Sequence, residues 1–304
     1  MPLDIPPLPP LADVMEMVQT RFLPAAGAAA IVFGILALAG KRARPVASAV
    51  AIVAGLLAGN WYNSPFPIAQ WKEPSAARFY LPHAAVLLLI VGCFASLLED
   101  LTTAGSKWSR FIVTTIVWNL RAFAVGIVAY FVLPSEVGLP FSMFFAVLSL
   151  SLWFTLERSS LDGSGAEAGL IAYLGCATAG GVMLFAHYAS FMDYAMILGA
   201  SFLGLAVIAA HGKFDLRGAV PAYVGIIPGL LVSGKTLTDS QTPPTCFWIA
   251  GLLPLIALPG LIPVVNRNLG RYAFVLRVGL VMLVSVGVLG WAAQHEKLPW
   301  QEEW

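Results

Sequence analysis

The sequence predicts an all-α integral membrane protein, a polytopic bundle of about ten transmembrane helices with little chain outside it. Three observations predict this. Of the 304 residues, 59% are hydrophobic and 11% are charged, where a soluble chain carries ~25% charged residues. Apolar stretches of membrane-crossing length recur along the whole chain, and Lys and Arg collect in alternate loops. So few charges could not cover the surface of a soluble domain. Lipid removes that need, because it solvates an apolar exterior.

The opening MPLDIPPLPP has too many prolines to be helical. With Asp4, Asp13 and Glu16 it also lacks the positive start of a secretory signal. For Leu11 to Gln19 two readings stand, a short amphipathic helix on the membrane surface or a polar leader. The chain therefore divides into a leader (1–21), a transmembrane domain (22–293) and a short polar tail (294–304). A crossing needs ~20 mostly apolar residues. Such runs lie at 22–40, 45–61, 79–98, 111–133, 139–156, 168–187, 191–210, 217–234, 246–265 and 273–293. The first two are short, so a re-entrant pair is the alternative to two crossings.

Cations give the orientation. Lys41, Arg42, Arg44, Lys107, Arg110, Arg158, Lys213, Arg217, Arg267, Arg271 and Arg277 fall on one side, eleven against five. The five are Arg21, Lys72, Arg78, Lys235 and Lys297. Positive charge stays in the cytoplasm, which puts both termini outside; the setting expected is a bacterial cytoplasmic membrane. Trp61, Trp71, Trp108, Trp248 and Trp291 stand at or near the predicted span ends, where interfacial tryptophans belong.

Span two carries Gly55 and Gly59, and span eight Gly225 and Gly229. Small residues at this spacing let two helix backbones approach. Laid over each other, AIVAGLLAG (51–59) and PAYVGIIPG (221–229) align both glycines. Arg110-Phe111 and Arg271-Tyr272 precede spans four and ten in the same way. On this alignment spans 1–4 and 7–10 are two four-helix parallel repeats flanking a central helix pair. On the plainer reading the glycines only pack helices.

Arg121 lies in span four with ten residues before it and twelve after. A cation near mid-span costs ~2.5–3.5 kcal/mol or more, so it must face protein or water and have a partner. The partner is either a carboxylate on another helix or a backbone carbonyl freed where a helix breaks. Span nine supplies the break: Pro254, Pro259 and Pro263 each remove a backbone donor, and Gly260 follows the second. Broken helices in a bilayer survive where protein or a water-filled cavity satisfies them, as they do in transporters. Arg121, with Asn119 close by in sequence, and Pro254, Pro259 and Gly260 are thus the candidate binding residues. A structural arginine tied into the bundle is the plainer reading.

Other chemistry is poorly supported. His83, His187 and Asp193 share the outer side but have no ligand spacing, so no metal site is expected. Glu157, Arg158, Asp162 and Glu167 read as a solvated turn, with Glu167 able to enter span six. The run Asp162-Gly163-Ser164-Gly165 has the form of a serine nucleophile turn but no base beside it. Zinc-protease and phosphate-loop motifs are missing, and so is a mid-span histidine pair for haem, so neither a catalytic residue nor a cofactor is expected. Cys93, Cys176 and Cys246 are odd in number and scattered, which fits packing and not a disulfide framework. A net charge of +1 with no basic run offers nucleic acid nothing to bind. The partners expected are the lipid bilayer, a small solute or ion, and a membrane protein or second copy. The function expected is a transporter or permease for a small solute or ion, with a midplane site near Arg121 and the broken ninth span. The alternatives are a non-catalytic membrane subunit and an intramembrane enzyme.

Overall fold

The computed structural model describes residues 11–40, 43–60, 77–102, 107–132, 139–212, 214–238, 240–269 and 272–296. Thirteen α-helices run through them: α1 (Leu11–Met17), α2 (Leu23–Ala37), α3 (Arg44–Asn60), α4 (Ala77–Thr102), α5 (Lys107–Val132), α6 (Leu139–Arg158), α7 (Gly165–Phe185), α8 (Ala189–Ala210), α9 (Val220–Leu237), α10 (Pro244–Leu252), α11 (Leu258–Leu261), α12 (Pro263–Leu269) and α13 (Tyr272–His295). No strand occurs among the described residues. Seven helices there are long and apolar enough to cross a membrane, and α3 is a shorter apolar helix. The chain is an integral, multi-pass helical membrane protein. Several sequence expectations lie outside the described residues: the proline-rich opening, Lys41, Arg42, Trp61, Trp71, Lys72, Lys213, Arg271 and Lys297. The side chains of Arg78, His83, Lys107, Asp162 and Arg267 do too.

Local sequence explains most helix ends. A π-turn over Val18–Phe22 joins α1 to α2, so the described part of the expected leader, from Leu11 on, continues into the first long helix without a break. Ser164 caps α7: its Oγ accepts from the Glu167 amide at 3.1 Å. The Ser-x-x-Glu spacing is that of a helix start, and it accounts for the motif that resembles a nucleophile turn. Pro221 opens α9 and Pro228 lies inside it. Span nine breaks where its prolines predict. Helix α10 gives way to a 3₁₀ turn at Leu253–Ala257, a single α-turn follows as α11, and Ile262 is extended before α12.

Small residues set the packing. A side chain at Gly55 would strike Ser201 and the Ala25 carbonyl, and one at Gly59 would strike Ile197 and Ala25. Helix α3 is therefore seated against α2 and α8. A side chain at Gly225 would meet Leu88 and Ala85 of α4 instead. Gly229 is buried. The glycines that align in sequence face different neighbours. Large apolar side chains point outward, among them Ile31, Phe111, Phe123 and Leu283, as a lipid-facing surface requires.

The two ends of the bundle are tied separately. At one end Arg44 of α3 lies over the Phe214 ring in the α8–α9 connection, 4.8 Å from its centroid. The ends of α4 and α6 meet the same connection. At the other end Arg21 pairs with Asp193 at the start of α8. Thr238 donates to the Ala186 carbonyl at 2.9 Å, and the Gln241 amide donates to Glu296 just past α13.

Candidate functional site

Arg121 stands near the middle of α5 and is 1% exposed. Its partners are acidic, the first of the two kinds the sequence allows. Glu157, in the last turn of α6, accepts from Nη2 at 2.7 Å. Glu99, in the last turn of α4, lies 3.4 Å from the same nitrogen. The other Glu99 oxygen accepts from Arg217 in the α8–α9 connection at 3.4 Å. Arg217 also donates to Asp100 at 2.9 Å and to Asp215 at 2.6 Å. Asp215 accepts from Ser160 at 3.3 Å, three residues beyond Glu157.

These contacts close a ring that starts at Glu157 on α6, passes through α5, α4 and the α8–α9 connection, and returns to Ser160 in the turn that follows α6. It holds four carboxylates, Glu99, Asp100, Glu157 and Asp215, against two guanidiniums, Arg121 and Arg217. Arg121 is central in its own helix. Its partners sit in the last turns of theirs, so the guanidinium lies toward one end of the bundle.

The guanidinium of Arg121 is only partly satisfied. Nη2 serves both carboxylates, while Nε and Nη1 are buried with no hydrogen-bond partner. Tryptophan faces take their place: the guanidinium carbon is 4.7 Å from the Trp118 ring centroid and 5.5 Å from that of Trp153. Cation–π attraction offsets part of the lost hydration. Asn119 does not join this site. It is exposed, and its amide donates to the Thr115 carbonyl one turn back, at 2.8 Å.

The broken ninth span serves a different arginine. Arg277 of α13 is 3% exposed and donates to the Gly260 carbonyl at 2.6 Å. It also holds both oxygens of Glu167, Nη2 to Oε2 at 2.8 Å and Nε to Oε1. Asn266 accepts from it at 3.3 Å. Pro254 is buried in the 3₁₀ turn and Pro259 is exposed. The Gly260 carbonyl beside Pro259 is thus satisfied by a side chain. The structure does not bring Arg121 together with Pro254, Pro259 or Gly260 through any contact described for them.

A cavity lies elsewhere. It measures about 310 Å³ and opens between α6, α9 and α10. Phe145, Ser149 and Leu152 of α6 line it, with Pro228 and Lys235 of α9 and Trp248 of α10. Trp248 meets the rings of Phe141 and Phe144 edge-on, at 5.7 and 6.2 Å. Leu152 lines the inner part, and Glu157 of the ring follows five residues on, ~7.5 Å along the helix. Among the described residues no three His, Cys, Asp or Glu side chains are placed to hold a metal ion. His187 lies 3.9 Å from Glu296, and Asp193 is paired with Arg21.

Sequence reasoning found Arg121 and missed what surrounds it. Glu157 was expected in a solvated turn, yet it is buried. Arg277 was expected as a loop cation, although it stands five residues inside α13; that depth is the signal that marks it. The adjacent Glu99 and Asp100, at the end of an apolar run, were a second signal. Compared with known proteins, the chain matches no family model, and no curated protein matches it.

Proposed function

We propose that this protein is a membrane transporter for a small solute, held in a state closed at the end that the cation pattern assigns to the cytoplasm. The observation that carries the reading is the division of labour along α6. Its last turn belongs to a partly buried ring of ion pairs drawn from four elements, and the stretch before it walls an open cavity. A solute leaving toward the ring would have to part α4, α5, α6 and the α8–α9 connection. Arg121 is the member built to let go, because two of its nitrogens hold no carboxylate.

Ten crossings with both termini outside belong to the same proposal. What supports them is which connections meet. Contacts at one end join the α2–α3, α4–α5, α6–α7, α8–α9 and α11–α13 regions, through Arg44, Glu99, Glu157, Arg217 and Arg277. The N-terminal helix, the α7–α8 turn, the α9–α10 connection and the end of α13 meet at the other. An even number of crossings produces this separation. Reporter fusions at residues 42, 107, 213 and 268 are expected to read cytoplasm, and fusions at 70 and 240 the outside. Cytoplasmic signal at both 70 and 240 would overturn the orientation.

Sidedness of the cavity tests transport itself. With Cys93, Cys176 and Cys246 replaced by serine, Leu152→Cys is exposed to a membrane-impermeant thiol reagent in sealed, oriented vesicles. Labelling from the outer side alone is expected. Adding Glu99→Gln and Glu157→Gln is expected to open labelling from the cytoplasmic side. A non-catalytic subunit packed by its glycines would show the same labelling with and without the ring.

A further inference from the structure

The cavity between α6, α9 and α10 is long, apolar and charged at one end. Its α6 wall runs from Phe141 to Leu152, eleven residues or ~16 Å of helix. At about 310 Å³ it stands at the small end of the ~300–1,000 Å³ range of ligand sites. Its walls are mostly aromatic and aliphatic, which gives a sugar or a free ion almost nothing to bind. Lys235 occupies the last turn of α9, half-buried, on the cavity wall. Among the described residues no carboxylate forms an ion pair with it. Lys235 shares the outer end of the slot with Phe141 and Trp248. Helix α10 begins only a few residues after α9 ends, and Trp248 in its second turn touches Phe141.

From this geometry we infer that the cavity binds a single-chain anionic amphiphile, a fatty carboxylate, with its alkyl chain along the slot and its head at Lys235. At about 310 Å³ the cavity has room for one alkyl chain and not for the two chains of a phospholipid. An ammonium head would face Lys235 across a low-dielectric rim, and an alcohol would gain no charge-assisted hydrogen bond there. Removing the chain from water supplies the binding energy, and Lys235 selects the sign of the head. The inference names the solute class for the proposed transporter and rests on that reading. Binding is measured without any transport step, so the two fail separately.

The test uses the full chain in nanodiscs of phosphatidylcholine, with bromine-labelled dodecanoate as the quencher of Trp248 fluorescence. A saturable part of the quenching is expected, reversed by unlabelled dodecanoate and lost in Trp248→Phe, above a non-competed background from lipid-facing Trp108 and Trp291. Lys235 has no ion-pair partner among the described residues, so Lys235→Gln leaves no carboxylate stranded, and its melting temperature is measured beside its affinity. It is expected to weaken dodecanoate about tenfold, the weight of one hydrogen bond to a charged group. Bromine-labelled dodecanol is expected to bind weakly and to ignore Lys235→Gln. The assignment falls if Lys235→Gln leaves the affinity within about twofold, if dodecanol matches dodecanoate, or if the saturable quenching survives in Trp248→Phe. Saturable dodecanoate binding without sidedness at Leu152→Cys would remove transport and leave the site. Sidedness without dodecanoate binding would remove the fatty carboxylate and leave transport.

Discussion

Arg277 and Arg121 are both almost fully buried, 3% and 1% exposed, yet they are held in opposite ways. Arg277 spends its whole fork: Glu167 takes Nε and Nη2, and the Gly260 carbonyl and Asn266 take Nη1. Arg121 hydrogen-bonds through Nη2 alone and leaves two nitrogens against tryptophan. The first arrangement locks the broken ninth span to α7 and α13. The second holds a ring whose members can exchange partners, because Glu99 already lies between Arg121 and Arg217. In the proposed transporter Arg277 is the structural arginine and Arg121 the movable one, a difference that burial does not show and the use of the guanidinium does.

The largest expected effect is at the saturated site. Arg277→Leu strands the Glu167 carboxylate, 1% exposed, and the Gly260 carbonyl. Breaking a buried pair from one side costs ~3–5 kcal/mol, so folded yield in detergent and melting temperature should drop more than for any change at Arg121. The double variant Arg277→Leu, Glu167→Leu should recover much of the loss, since no charge is then left alone. A melting temperature near wild type for Arg277→Leu would break the comparison.

Arg121 should respond less and discriminate better. Arg121→Leu leaves Glu157 unpaired but also removes two unsatisfied buried donors, and Glu99 keeps Arg217. The loss is expected to be smaller than for Arg277→Leu, because the two orphaned donors leave with the side chain. Lysine separates the two sites. An ammonium can replace the one nitrogen that Arg121 uses, but not the fork that Arg277 uses. Arg121→Lys should therefore melt close to wild type, and Arg277→Lys close to Arg277→Leu. Equal losses in the two lysine variants would show that the sites are held alike.

The smallest effect is expected beside Arg121. Asn119→Ala removes only an exposed bond to Thr115, and exposed substitutions of this kind stay within ~0.5 kcal/mol. Stability and thiol sidedness should both be unchanged. Altered sidedness would return Asn119 to the site beside Arg121.

Legibility followed the range of the interaction. The break in span nine was readable because proline acts on its own backbone, and the mid-span position of Arg121 was readable by counting. The need for a carboxylate partner followed from the cost of a buried cation. Its identity did not, because Glu157 is 36 positions away and stands beside Arg158 in a stretch that reads as a polar turn. Arg277 and Glu167 are 110 positions apart, and neither suggests the other. The cavity had no signal, since it is the space that Pro228, Trp248 and the α6 aromatics leave between three helices.

The sequence by itself determined that this chain is a helical membrane protein and where its apolar segments fall. In a bilayer each backbone must satisfy its own hydrogen bonds, and a local run of apolar residues is enough to specify that. Only the tertiary structure decided which carboxylate meets which arginine, that the freed carbonyl goes to Arg277, and that the open volume lies beside Lys235. Those outcomes depend on how helices distant in sequence rotate and approach. That is set by many small contacts across their faces, such as Gly55 on Ser201 and Gly225 on Leu88.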